Sequence, residues 1–120
     1  MTTKNHKLAW KERHGPETFD CNLDVAIHPA KSSIILLTMS GVDGSADGYL
    51  GKYITIAQNA QRDHGVAAVR IGNPFISSFS WESNLRHTLD YVIEHSADIA
   101  GPDFKEIRIM AHSAGGTVAG

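Results

Sequence analysis

The sequence predicts an α/β domain with a mostly parallel sheet, an N-terminal antiparallel hairpin at one edge, and helices on both faces. A continuous apolar run at 34–39 is typical of a strand that is covered on both sides, and a second run, at 66–71, is again strand-like. The residues between and after these runs repeat their apolar positions at helical spacing. Buried strands that alternate with amphipathic helices indicate parallel strand pairs joined by helical crossovers.

The N-terminal hairpin is expected from two strands, at 7–13 and 19–27, joined by the turn HGPE. The first is a polar edge strand that carries Leu8 and Trp10. The second alternates with a period of two, which predicts one buried and one wet face. Its apolar positions are Phe19, Cys21, Leu23, Val25 and Ile27, and its wet positions are Asp20, Asn22, Asp24, Ala26 and His28. Pro29 ends this strand.

The rest of the chain alternates helices and strands. A helix that begins near Leu50 is expected to end at Gly65, which suits a C-cap. A second helix is expected from an N-cap at Ser80 to about Ala97. A short strand at 107–110 follows, and the order β-β-β-α-β-α-β ends where another helix begins.

Composition narrows the classes of function. The 120 residues are 42% hydrophobic and 20% charged, which suffices for one small core. The net charge of −2 gives no basic field for nucleic acid, and no apolar run reaches the roughly 18 residues of a membrane span. The single cysteine, Cys21, cannot form an internal disulfide, and the N-terminus contains no apolar signal segment. We therefore expect a cytoplasmic protein without a nucleic-acid partner or a membrane span.

The strongest chemical motif is AHSAGG at 111–116, directly after the last strand and at the expected start of a helix. A tight strand-to-helix turn of this kind pushes a serine hydroxyl above the edge of the sheet. It needs small residues two positions before and after the serine, and Ala111 and Gly115 meet that need. Ser113 is thus a candidate nucleophile, with the N–H of Ala114 directed at the same point. A Ser/Gly turn that only joins strand to helix is the alternative.

A second candidate feature is the loop SGVDG at 40–44, which follows the first buried strand. An oxyanion hole needs two N–H donors, and a glycine-bearing loop beside the nucleophile can supply the second. The N–H of Val42 is the first candidate and that of Gly41 the next. An ordinary loop with turn glycines is the simpler explanation when this loop is considered alone.

Together these features resemble the N-terminal half of an α/β-hydrolase, from about residue 7 to residue 120. The hairpin resembles the first two strands of that family, and IILLTMSG resembles its third strand and oxyanion loop. VAAVRIGNP resembles the fourth strand, and EIRIMAHSAGG the fifth strand with the nucleophile elbow. The resemblance implies that Ser113 is the nucleophile and that the N–H groups of Ala114 and Val42 form the oxyanion hole.

The chain departs from the family's pattern in three places. Ala111 stands where glycine is more usual, and Ser40 stands where many members have histidine. The family places an acid and then a histidine after the nucleophile, whereas the residues after Ser113 contain neither. A serine hydroxyl is a poor nucleophile without a positioned base. Residues 1–120 are therefore expected to form a single incomplete α/β-hydrolase domain, truncated after the elbow and inactive alone.

The resemblance implies an enzyme that hydrolyses an ester or related acyl bond through an acyl-serine intermediate. Its partner is a small acyl substrate, and neither a cofactor nor a metal is expected. The sequence contains no glycine-rich nucleotide motif and no Cys/His spacing typical of a metal site. Thioesterase, amidase and acyltransferase activities stay open. A non-catalytic α/β module that binds a ligand or a partner chain is the alternative, and the missing base favours it.

The resemblance also places the strand at 107–110 between the third strand and a sixth strand that the chain lacks. An unpaired apolar strand edge is a template for pairing with another chain. We therefore expect the chain to self-associate through this edge or to need a complementing C-terminal chain.

Overall fold

The computed structural model describes residues 3–39, 46, 51–72 and 80–111. Within these ranges, five strands form one sheet and three helices pack on it. The strands are β1 (Lys4–His14), β2 (Glu17–His28), β3 (Ile34–Met39), β4 (Ala67–Ile71) and β5 (Glu106–Ala111). The helices are α1 (Lys52–His64), α2 (Ser80–Glu94) and α3 (Ser96–Ala100). The predicted order of elements up to β5 is confirmed, except that the second helix is divided in two, and the helix expected after β5 lies outside the described residues.

The spatial order of the strands is β1-β2-β4-β3-β5. β1 and β2 form the expected antiparallel hairpin, with Lys4 opposite Ile27 and His14 opposite Glu17. In the described part of the chain, two interfaces are antiparallel (β1–β2 and β2–β4) and two are parallel (β4–β3 and β3–β5). The sheet is therefore mixed, and the expectation of a mostly parallel sheet is met only in part. The reason is that β2, which runs against both of its neighbours, joins the hairpin to β4.

The main hydrophobic core lies on one face of the sheet. Alternate residues of β2, β3 and β4 point to this face, and α2 and α3 cover it. The strand residues of the core are Leu23, Val25, Ile27, Ile35, Leu37, Met39, Ala67, Val69 and Ile71. α1 packs on the opposite face through its buried residues Tyr53 and Ala57. The described helices thus lie on both faces, as expected.

The end of β2 is buried on both faces, which differs from the prediction. Asp20, Asn22 and Asp24 are exposed, as expected, but Ala26 and His28 are buried. The difference arises because α1 crosses this part of the sheet. The Gln61 side chain of α1 donates a hydrogen bond of 2.7 Å to the carbonyl of Pro29, directly after β2.

The first helix ends at the predicted residue, and the second ends earlier than predicted. α1 ends at Gly65 as predicted, with φ of 63° and a hydrogen bond from the glycine N–H to the carbonyl of Ala60. The second helix was expected to run to about Ala97, but it breaks at His95. The carbonyl of Tyr91 accepts both the backbone N–H of His95, at 3.0 Å, and its ring Nδ1–H, at 2.9 Å. α2 ends because the backbone of His95 leaves the helical conformation, with φ of −105° and ψ of 16°, and α3 starts one residue later.

Candidate active site

The two strands that precede the predicted functional loops, β3 and β5, end at the same edge of the sheet. The two strands are adjacent and parallel, and Met39 is the register partner of Ala111. Each of these residues is the last of its strand, so the chain leaves both strands at one level. Neighbouring strands in a sheet lie about 4.8 Å apart. The segments that carry the predicted chemistry therefore start side by side.

The predicted site residues themselves lie outside the described residues. These are the candidate nucleophile Ser113 and the candidate oxyanion donors Ala114, Val42 and Gly41. The structure does describe Ala111, which is half-buried and packs against the core. A small residue at this position agrees with the close packing that the predicted turn requires.

The direction in which the chain crosses the sheet reverses at β3. From β3 the chain passes through α1 to β4 on one side, and it then crosses back to β5 on the other side. In open α/β sheets, such a reversal creates a crevice outside the carboxyl ends of the strands, and ligands bind there. The two predicted loops follow the two strands at this reversal.

The end of β3 is anchored by Tyr53 of α1. Tyr53 is buried, and its hydroxyl donates a hydrogen bond of 3.4 Å to the carbonyl of Met39. Burial raises the pKa of Tyr53, so the hydroxyl keeps its proton and remains a donor. This contact ties the first turn of α1 to the last residue of β3.

A buried polar pair that the sequence did not predict lies near the end of β4. Arg70 is 6% exposed and His28 is 1% exposed, and Arg70 Nε donates to His28 Nε2 at 2.9 Å. The other ring nitrogen, Nδ1, lies 3.3 Å from Thr3 Oγ1. Burial, and then the positive charge of Arg70, lower the pKa of His28, so the ring is neutral. An arginine inside the apolar run 66–71 was the available signal.

The same guanidinium reaches the connection between β3 and α1. Arg70 Nη1 donates a hydrogen bond of 3.3 Å to the carbonyl of Ala46. Ala46 lies four residues after Val42 in the loop that was predicted to carry the oxyanion donors. A side chain on β4 therefore contacts the backbone of the loop that follows β3.

None of the helices within the described residues is long and apolar enough to cross a membrane. The same ranges contain no cluster of three or more His, Cys, Asp or Glu side chains arranged to hold a metal ion.

No family model matches the chain, and no curated protein matches it. Solved structures do match. ESTFA, in a crystal structure of its Fe-lacking apo form, aligns over 95% of this chain and 37% of its own, with a TM-score of 0.57 and 14% identity. A proposed hydrolase from Rickettsia typhi aligns over 99% of this chain and 42% of its own, with a TM-score of 0.65 and 14% identity.

The chain shares its fold with these two proteins. At 14% identity the likeness concerns the fold alone. The chain also spans only about two fifths of the length of each of them. The resemblance to an α/β-hydrolase that the motifs suggested therefore stays a prediction.

Proposed function

We propose that this chain carries the nucleophile and the oxyanion hole of a serine hydrolase that acts on an ester or related acyl bond. The observation that supports this most is the parallel pairing of β3 and β5, with Met39 opposite Ala111. One strand leads into the loop that contains Val42, and the other leads into the motif that contains Ser113. A nucleophile and its oxyanion donors need to meet at such a shared strand edge.

In the proposed reaction, Ser113 Oγ attacks the acyl carbon and its proton passes to a base. The N–H groups of Ala114 and Val42 hold the oxyanion of the tetrahedral intermediate. The intermediate collapses to acyl-Ser113, and the leaving group takes the proton from the base and departs as an alcohol. Water then attacks the acyl-serine with help from the same base, releases the acid and restores the serine.

We propose that the residues after Ser113 in this chain do not supply the base. The segment from Ser113 to Gly120 contains no histidine and no carboxylate. His28 does not replace the missing base, because it is buried and its Nε2 accepts the hydrogen bond from Arg70. His95 does not replace it either, because α3, which directly follows His95, accepts hydrogen bonds from Ala30 and Ser32 before the start of β3, at the opposite end of that strand from Met39.

The names of the structural neighbours agree with this chemistry. One is the esterase ESTFA and the other is a proposed hydrolase. Hydrolysis of an ester is therefore the first choice for this chain. Thioesters, amides and transfer to another acyl acceptor are the alternatives that a substrate panel on the whole protein separates.

Covalent labelling with a fluorophosphonate tests the nucleophile directly, because the reagent forms a stable adduct and needs no turnover. We expect mass spectrometry to place the adduct on Ser113 and the Ser113→Ala variant to lose it. Ser96 provides a matched control, because it is the first residue of α3, and Ser113 is predicted to lie at the start of a helix. Ser96→Ala should label like the wild type. Labelling should be slow, because an oxyanion hole without a base supports only residual reactivity.

Two results would change the account. An adduct that is no more abundant at Ser113 than at Ser96 would contradict the nucleophile and favour a non-catalytic binding module. Rapid hydrolysis of a short-chain aryl ester, lost in Ser113→Ala, would keep the nucleophile but contradict the assignment of the base. We expect hydrolysis by this chain to stay at the level of buffer.

A further inference from the structure

Arg70 is a buried cation in a strand that is otherwise apolar. All five residues of β4 are buried, and the other four are alanine, valine and isoleucine. Arginine is rarely buried without partners, because removal of its charge from water is costly unless hydrogen bonds replace the hydration. A charged side chain at this position therefore needs hydrogen-bond partners, which an aliphatic side chain would not need.

The position of Arg70 in the sheet directs it toward the predicted site. It is the residue before the end of β4, and its register partners are Ala26 on β2 and Thr38 on β3. His28 lies on the same face, two residues further along β2. This is the face on which α1 packs, and the β3–α1 connection starts from the same end of the sheet.

Two hydrogen bonds of the guanidinium point in different directions. Nε donates to His28 Nε2 at 2.9 Å within the sheet layer. Nη1 donates to the carbonyl of Ala46 at 3.3 Å, outside the sheet. Because the guanidinium is planar and rigid, fixing Nε at His28 also fixes the direction of Nη1. His28 thus orients Arg70, and Arg70 holds Ala46.

We propose that Arg70 is a positioning residue for the predicted oxyanion loop. It holds the backbone of the β3–α1 connection at Ala46, four residues after Val42, whose N–H group, with that of Gly41, is the predicted oxyanion donor. The role of these N–H groups rests on the proposed function. The hold on the loop itself rests on the observed contacts of Arg70 with His28 and Ala46.

Arginine suits this task better than lysine. A lysine ammonium retains the charge, but it is a single point on a flexible chain and lacks the planar fork that serves two acceptors at once. Arg70→Lys should therefore keep a positive charge at this buried position. It should lose the fixed orientation of the hydrogen bond to the carbonyl of Ala46. Arg70→Met retains a similar apolar length and loses the hydrogen bonds to His28 and Ala46.

Hydrogen exchange of the backbone amides at 41–50 tests the hold without any need for catalysis. In Arg70→Lys and Arg70→Met these amides should exchange about tenfold faster or more, the effect of losing a hydrogen bond to a charged group. Amides of β3 and β4 should change only as far as global stability does. Ser32→Ala is the matched control, because Ser32 makes hydrogen bonds to Ile34 at the opposite end of the sheet. It should change all regions alike.

A second measurement links the hold to the proposed chemistry. The rate constant of fluorophosphonate labelling at Ser113 should fall in Arg70→Lys, and it should change in Ser32→Ala only as far as the folded fraction does. The wild type alone provides one test, which does not depend on whether a variant folds. If its amides at 41–50 exchange as fast as those of an unfolded peptide, the proposal is overturned. Equal exchange at 41–50 in wild type and folded Arg70→Lys would overturn it too. Failure of Ser113 to label in the wild type would instead contradict the proposed function and leave the exchange test of Arg70 intact.

Discussion

Arg70 Nε donates a hydrogen bond to His28 Nε2 at 2.9 Å, and this contact requires that Nε2 carries no proton. The ring is therefore the neutral tautomer with its hydrogen on Nδ1, which faces Thr3 Oγ1 at 3.3 Å. Protonation of Nε2 would place two cationic donors face to face inside the protein. The folded state thus selects neutral His28.

This selection makes the stability of the fold depend on pH. Burial, and then Arg70, lower the pKa of His28 below its ordinary value of 6.5. Below that pH the unfolded chain binds a proton that the folded chain does not bind, so the free energy of unfolding falls as the pH falls. His28→Gln keeps an acceptor for Arg70 and removes this titration.

Urea unfolding of wild type and His28→Gln at pH 7.5, 6.5 and 5.5 measures the effect. The free energy of unfolding of the wild type, relative to that of His28→Gln, should fall as the pH falls from 7.5 to 5.5, with a slope of at most about 1.4 kcal/mol per pH unit, the limit for one linked proton. The other histidines contribute equally to both proteins and cancel in the difference. Parallel pH profiles would show that His28 titrates alike in both states.

The outer edge of β5 should mediate self-association of this chain. Within the described residues β5 is the last strand of the sheet on its side, and Ile109 and Met110 are 38% and 42% exposed. Successive residues of a strand point to opposite faces, so both faces of the sheet expose apolar surface at this edge. Two copies can pair through such an edge.

Light scattering after size exclusion tests this expectation. The wild type should elute as a dimer or larger, and Ile109→Lys should shift it toward the monomer, because an edge lysine opposes strand pairing. Ile93→Lys is the matched control, because Ile93 is a 58% exposed isoleucine on α2 rather than on the sheet edge. A monomeric wild type, or equal effects of both lysines, would contradict pairing through β5.

The end of α1 should be sensitive to a side chain at Gly65. This glycine has a φ of 63°, and a Cβ built on it meets no atom within 4 Å. Gly65→Ala should therefore destabilise the fold by about 1 kcal/mol through its backbone conformation alone. Gly65→Asn should cost less, because asparagine tolerates the left-handed region better. Denaturant midpoints at constant m-value measure both, and an alanine variant as stable as the wild type would contradict the assigned cap.

The sequence predicts the fold best where a pattern has one physical explanation. Residues 34–39 are a continuous apolar run, and β3 occupies the same residues. The period-two pattern of β2 correctly predicts which side chains face the core. The pattern gives no information on whether a helix covers the second face of the strand. His28 was therefore predicted to be exposed to solvent, although it is buried. That burial depends on α1, which lies more than twenty residues further along the chain.

The candidate site is predictable only in part, for a related reason. Motifs identify Ser113 and the loop after β3, because tight turns and close backbone approaches restrict the residue types that fit. Arg70 carries no such motif, and its role depends on contacts with His28 and Ala46 from two other segments. A sequence shows that an arginine is out of place in an apolar strand, but only the tertiary structure shows what it holds.

The central claim is that β3 and β5 present a serine nucleophile beside two N–H donors. A crystal structure of the chain phosphonylated at Ser113 tests it most directly. We expect Ser113 on a tight turn between β5 and a helix, with the phosphonyl oxygen about 2.7–3.1 Å from the backbone nitrogens of Ala114 and Val42. Ser113 inside a regular helix, or a phosphonyl oxygen far from both nitrogens, would contradict the account.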